Sequence, residues 1–279
     1  MDINTFYKNL GTNKEILIED SKVPLPSKIE ISKNPDVAMW AVDENSNFYP
    51  VKSVSSKLDT GVYEVKSGFN GVYFSKVNLE NNTKLVSLTN DVSVKIINTI
   101  DKFLKNTEFF STNSIPFKKG ILVYGSEKSG KTTAIYKVVK SFPGIVLHNP
   151  HPVLLQIALN YLKQIERIPV LVTLDNITNQ NVKTLIDIID NNSNVIYLAS
   201  ASDASTLSPE LLSIDRFSSL EFIKELSQSD RETYIKEKFP TIDISNVKIW
   251  SEKTKDFNIP ELNSLLISVL GYNYTIDKA

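Results

Sequence analysis

Apolar and polar positions change their rhythm twice along this chain. Between residues 21 and 90, short β-type runs are separated by turn residues: Lys28 to Ile31, Val37 to Val42, Gly61 to Val65, Gly71 to Phe74 and Lys84 to Leu88. Their spacing predicts a small antiparallel β domain, preceded by a short polar arm over residues 1–20. Its aromatics Trp40, Tyr49, Tyr63, Phe69, Tyr73 and Phe74 are expected in the core. Asp91 to Lys105 then reads as a helix, because Val92, Ile96, Ile100, Phe103 and Leu104 recur at helical spacing. Residues 106–119 form a connector.

From residue 120 the pattern alternates. Strands are predicted over 120–124, 144–148, 169–174, 194–199 and 218–223. Helices are predicted over 131–141, 152–165, 179–190 and near 208–213. This alternation argues for a parallel sheet with helices on both faces. The unbroken apolar run Pro169 to Leu174 suits a strand covered on both sides. Residues 225–279 read as a helical lid. Ser229 and Glu232 fit a capping box, and Asn258 before Pro260 and Glu261 offers another helix start. The expected organisation is therefore arm (1–20), β-rich domain (21–90), helix and connector (91–119), α/β domain (120–224) and helical lid (225–279).

Composition narrows the function classes. A formal net charge of −1, with 41% hydrophobic and 23% charged residues, is ordinary for a globular protein. No global field points to nucleic acid or an anionic membrane. No apolar run approaches a membrane span, and Met1 to Asn4 carries no basic or apolar signal region. The chain contains no cysteine, which excludes disulfides, thiol catalysis and cysteine-ligated zinc and fits a cytoplasmic setting. Arg167, Arg216 and Arg231 are the three arginines among many lysines, so each marks a place where a planar guanidinium could matter. His148 and His151 read as a plain loop before a helix rather than a metal site. The pair Lys118 and Lys119 reads as a solvated edge, and Asp187, Asp190, Asp203 and Asp215 as solvated or capping residues.

The segment with the most chemical content is Gly125-Ser126-Glu127-Lys128-Ser129-Gly130-Lys131-Thr132, followed by Thr133. Two glycines spaced five apart, then Lys and Thr, fit a phosphate-binding loop. Glycines let backbone N–H groups wrap phosphate, and the following helix start adds partial positive charge. Lys131 can reach the β- and γ-phosphates, and the Thr132 hydroxyl can ligate Mg²⁺. A strand before and a helix after the loop supply the required context. Such a loop needs an acid to hold Mg²⁺, at the end of a buried strand beside the loop strand. Asp175 suits that position.

Leu198 to Phe217 resembles the AAA stretch that runs from sensor 1 to the arginine finger, with Pro209-Glu210-Leu211-Leu212 and Asp215-Arg216-Phe217 in place. Phe117 to Gly125 resembles that family's entry into its loop. The resemblance to AAA+ ATPases spans roughly residues 117–275, and the order of parts is most similar to small AAA proteins encoded by bacteriophages, which would work in a host cytoplasm. It implies ATP and Mg²⁺ as ligands, a homo-oligomeric ring such as a hexamer or a hetero-assembly, and a protein client. It also implies Lys131 and Thr132 as the Walker A pair, Asp175 as the Walker B acid, Ser202 at the sensor 1 position and Arg216 as a finger into a neighbouring subunit.

Several positions depart from the family. Asn176 stands where a Glu polarises the attacking water, and an amide can orient a water but cannot take its proton. Ser213 replaces the first finger arginine, Ser202 replaces an amide, and Glu127 brings a carboxylate into the loop. The aromatic-glycine pore loop of unfoldases is missing before Asp175. Two readings follow: an ATPase with slow or conditional hydrolysis, or a nucleotide-binding assembly protein without it. A P-loop kinase and a DNA-acting ATPase are weaker alternatives.

Overall fold

A computed structural model describes residues 39–42, 48–51, 55, 57–68, 71–78, 86, 91–165, 169–272 and 274. The chain divides into two units, Met1–Ser56 and Lys57–Ala279. In the first, β1 (Met39–Val42) and β2 (Phe48–Val51) pair antiparallel. The expected strand over 28–31 lies outside the described residues.

The second unit holds a seven-stranded sheet. Its strands are β3 (Gly61–Gly68), β4 (Gly71–Val77), β5 (Lys118–Tyr124), β6 (Ile145–His148), β7 (Val170–Leu174), β8 (Val195–Ala201) and β9 (Ser219–Phe222). Their order is β4-β3-β6-β7-β8-β5-β9. All neighbours run parallel except β3 and β4. This corrects the boundary at residue 90: the runs at 61–65 and 71–74 are longer strands that extend the α/β sheet. Gly61 pairs with Ile145, so β3 continues the parallel sheet and β4 adds an antiparallel edge strand to it, rather than the two closing a separate β domain. Tyr63 is buried, but Tyr73 is 50% exposed on the outermost strand, against the expectation that it is core.

The helices are α1 (Val92–Lys105), α2 (Thr107–Thr112), α3 (Lys131–Ser141), α4 (Pro152–Ile165), α5 (Val182–Asn191), α6 (Gln228–Lys238), α7 (Ile244–Lys253) and α8 (Ile259–Tyr272). Period-two alternation on the strands sends side chains to two cores. Ile121, Val123, Val146, Leu171, Ile196 and Leu198 meet Ile96 and Ile100 of α1 and Ile135 and Val138 of α3. Leu122, Leu147, Val172, Tyr197 and Ala199 meet Leu155 and Leu159 of α4 and Ile188 and Ile189 of α5. Helices thus cover both faces, as the alternating pattern predicts. Buried Tyr197 has its hydroxyl pKa pushed up, chiefly by desolvation.

Helices α6 to α8 build a third core around Tyr234, Ile235, Val247, Trp250, Leu262 and Leu266, with Val86 packed in. Lys137 on α3 joins this end to the sheet by donating to the Val86 carbonyl at 2.8 Å and to the Asp91 carboxylate. The α6 cap is Ser227 with Asp230, not Ser229 with Glu232. Asn258 and Glu261 do bond reciprocally at the start of α8. No helix forms near 208–213. Pro209 has no N–H to give, and the segment closes short turns instead, from Leu211 N–H to Ser208 O and from Arg216 N–H to Ser213 O. The predicted first turn of α5 is a 3-10 turn over Asn179–Asn181. Among the described residues no helix is long and apolar enough to cross a membrane.

Gly120 shows how tightly β5 is enclosed. A Cβ there would lie 2.2 Å from the Arg216 carbonyl oxygen. Gly120→Ala should therefore cost about 2 kcal/mol or more, the range of overpacking and backbone shift. Gly271→Ala, where the nearest atom is 3.8 Å away, should be neutral or stabilise α8 by up to about 1 kcal/mol. Urea unfolding of the two variants checks the contrast.

Candidate functional site

Strand β5, flanked by β8 and the edge strand β9, delivers the chain to the glycine loop. Gly125 takes φ 154° and Gly130 takes φ 102°, both natural only for glycine. A Cβ on Gly125 would stand 2.5 Å from the Ile223 carbonyl oxygen. Between them Lys128 holds φ 60°, a left-handed conformation that costs a side-chain-bearing residue about 1–2 kcal/mol. Gly130 leads into α3 with no side-chain cap, so the first N–H groups of the helix have no side-chain acceptor there.

Lys131 folds its ammonium back over the loop and donates to the carbonyls of Gly125 and Ser126, each at 2.7 Å. Partial burial lowers its pKa from the usual lysine value, and the Glu127 carboxylate opposes that shift. The Ser129 hydroxyl is buried with no hydrogen-bond partner among the described residues. Thr132 is exposed on the first turn of α3, and Thr133 is half-buried.

Asp175 follows β7. The expected neighbour relation is looser than the sequence implies, because β8 lies between β5 and β7. Both strands nevertheless end on the same edge of the sheet as the glycine loop. Asp175 donates its backbone N–H to Asn149 Oδ1 at 3.1 Å, and Asn176 donates its own to Ser200 Oγ at 2.8 Å. Asn149 and Asn176 both adopt positive φ, 43° and 50°, which asparagine tolerates better than most residues. These bonds fix the turn that presents the two side chains.

Asp175 Oδ1 is buried and has no hydrogen-bond partner among the described residues. An ionised oxygen in that state is costly unless a cation or a cation-bound water completes it. The donor set, a carboxylate oxygen with a threonine hydroxyl available on α3, is the hard-oxygen chemistry that Mg²⁺ takes. Ser202 Oγ approaches Asn176 Oδ1 at 3.4 Å, so Asp175, Asn176 and Ser202 share one edge of the sheet.

Arg216 is not with them. Its carbonyl packs on Gly120 near the start of β5, about 17 Å of extended chain from Gly125. Its guanidinium grips Asp190 at 3.1 and 2.7 Å and donates to the Glu210 carbonyl at 2.7 Å. Asp190 also accepts from Lys118 at 3.4 Å. Asp190 is thus an ion-pair centre, and Lys118 an anchored side chain rather than a solvated edge. Arg231 is structural: it is buried and ties Leu226 O and Ser251 O together. Arg167 lies outside the described residues. His148 Nδ1 lies 3.0 Å from Thr173 Oγ1, and His151 Nδ1 accepts from the Val153 N–H.

Sequence reading missed Asn149 and Ser200, whose side chains hold the Asp175–Asn176 turn. It also missed a cavity of about 170 Å³ lined by Ser126 to Ser129, Glu225, Leu226 and Lys255 to Asn258. The cavity lies between the loop and the segments that precede α6 and join α7 to α8. Asn149 carried a faint signal, since it follows a predicted strand end. Ser200 and the cavity carried none.

Fold and site together define an α/β protein whose mostly parallel sheet is compatible with a P-loop nucleotide-binding architecture. No known protein-family profile matches the chain. A stretch of 51 residues is 37% identical to the probable mitochondrial chaperone bcs1 of Schizosaccharomyces pombe. That stretch covers 18% of this chain and 11% of the relative.

The Asp190 carboxyl is held below the usual aspartate pKa, first by its hydrogen bond to Arg216. A depressed folded pKa stabilises the fold above the unfolded value of about 3.9 and loses that contribution as pH falls through the lower folded value. Asp190→Asn should cost about 1 kcal/mol or less at pH 7. The melting temperatures of the variant and the native protein should converge as pH falls below the unfolded aspartate value of about 3.9 and through the lower folded one.

Proposed function

We propose that the protein binds Mg-ATP at the loop Gly125–Thr133 and couples nucleotide state to rearrangement within an oligomeric assembly. The observation that carries the reading is the convergence of an uncapped helix start, the Lys131 ammonium and a buried, unpaired Asp175 oxygen at one end of one sheet. Backbone N–H groups of residues 126–133 would wrap the phosphates, and Lys131 would exchange its two carbonyl acceptors for phosphate oxygens, which bind it more strongly. Thr132 and Asp175 would hold Mg²⁺, which when bound neutralises charge on the β- and γ-oxygens. The base and ribose would lie toward the cavity beside Phe257, between the sheet and the helices α6 to α8. Those helices would act as a lid that responds to the ligand.

Asn176 and Ser202 would orient water near the terminal phosphate. Neither side chain takes a proton as a carboxylate would, so hydrolysis should be slow. Arg216, at the far end of β5, would serve the site of a neighbouring copy, leaving Asp190 to do so and stabilising charge on the γ-phosphoryl group. The partial likeness to a chaperone is in keeping with a protein client. A second reading, nucleotide-gated assembly without hydrolysis, is favoured by Asn176 and Ser213. A cytoplasmic site of action fits either reading.

Titration calorimetry with ATP and Mg²⁺ should show binding by the native protein and about a 10- to 100-fold loss in Lys131→Ala, the worth of a charge-assisted hydrogen bond pair. Asp175→Asn should weaken binding only when Mg²⁺ is present. No binding by the native protein would overturn the proposal. Phosphate release, followed with mass measurement in the presence and absence of ATP, separates the two readings. Asn176→Glu should raise turnover by at least about tenfold if only the proton acceptor is missing.

A further inference from the structure

Lys128 occupies the one loop position at which a side chain is carried at positive φ while Gly125 and Gly130 flank it. Glycine would hold that conformation without strain. Residues kept in such conformations cluster where the side chain performs a task. The Lys128 side chain is exposed, and it has no hydrogen bond or ion pair among the described residues. It lines the cavity of about 170 Å³ together with the carboxylates of Glu127, Glu225 and Asp256 and a single further cation, Lys255. Ser129, whose hydroxyl is buried and without a hydrogen-bond partner among the described residues, lines the same cavity. An acidic wall of this kind repels a polyphosphate unless a positive charge stands in front of it.

We infer that the Lys128 ammonium, and not only its backbone N–H, binds the phosphates of a nucleoside di- or triphosphate, on the cavity side of the loop, across from Lys131. The inference rests on the Mg-ATP reading of the loop and names a residue that sets its affinity and its preference for polyphosphates. Lys131 is occupied inside the loop by the Gly125 and Ser126 carbonyls. Lys128 is the loop cation that approaching phosphate meets without first breaking a bond. The Ser129 hydroxyl, adjacent to it, gains its missing partner from the same ligand.

Two substitutions separate charge from backbone. Lys128→Gln keeps a side chain in the left-handed conformation and removes the charge. Lys128→Gly removes the charge and relieves the strain. Calorimetry with ATP, ADP and adenosine, at two salt concentrations, reads affinity, and thermal unfolding reads stability. Both variants should bind ATP and ADP about 5- to 20-fold more weakly, the range for one charge-assisted contact. Adenosine affinity should stay unchanged, and the salt dependence of ATP binding should become shallower. Lys128→Gly alone should melt about 2–4 °C higher. Native-like ATP affinity in Lys128→Gln overturns the inference, including the case where Lys128→Gly weakens binding through a looser backbone. ATP binding by the native protein together with native-like affinity in both variants leaves the loop reading standing and removes the Lys128 role. Absence of ATP binding by the native protein removes both.

Discussion

Gly125 cannot carry a side chain, because the Ile223 carbonyl oxygen would sit 2.5 Å from its Cβ. That close approach follows from β9 pairing alongside β5, with Tyr124 opposite Phe222, and Ile223 returning its N–H to the Tyr124 carbonyl at 2.8 Å. The edge strand thus pins the end of β5, and the chain must turn there. Six residues later α3 begins, covering one face of the sheet with Ile135 and Val138. The loop is therefore a mechanical consequence of strand pairing on one side and helix packing on the other.

The same edge gathers polar groups that the fold leaves incomplete. Folded proteins pair nearly all their buried donors and acceptors. Here Asp175 Oδ1 and the Ser129 hydroxyl have no partner among the described residues, and Lys131 relies on carbonyls of its own loop. Lys128 adds local backbone strain. Each is unfavourable for stability, and under the proposed function each would be resolved by the same kind of molecule, a polyanion carrying a divalent cation. At the opposite edge the accounts are closed, since Arg216, Asp190 and Lys118 satisfy one another. A role for Arg216 in catalysis would require that pair to open.

Much of this arrangement was legible in the chain. The run Val170 to Leu174 is buried on every residue and apolar at all but Thr173, because both faces of β7 are covered, and such a run announces itself. The glycine loop is legible because only glycine serves at Gly125 and Gly130. The membership of β3 and β4 in the sheet was not. Their alternating pattern is that of any half-covered strand, and nothing in it says which strand will pair with Gly61. Asn149, Ser200 and Asp190 were opaque for a related reason. Each acts on a residue more than twenty positions away, Asp175, Asn176 and Arg216 respectively, and only the folded register brings the partners together.

The central claim is that the loop and Asp175 form one Mg-nucleotide site. A crystal structure with Mg²⁺ and a non-hydrolysable ATP analogue tests it most directly. The account predicts phosphate oxygens on the backbone N–H groups of residues 126–133, Lys131 moved from the Gly125 and Ser126 carbonyls onto phosphate, and the metal on Thr132 facing Asp175. Nucleotide bound elsewhere, or Lys131 still on its own loop with Asp175 Oδ1 unengaged, would contradict it.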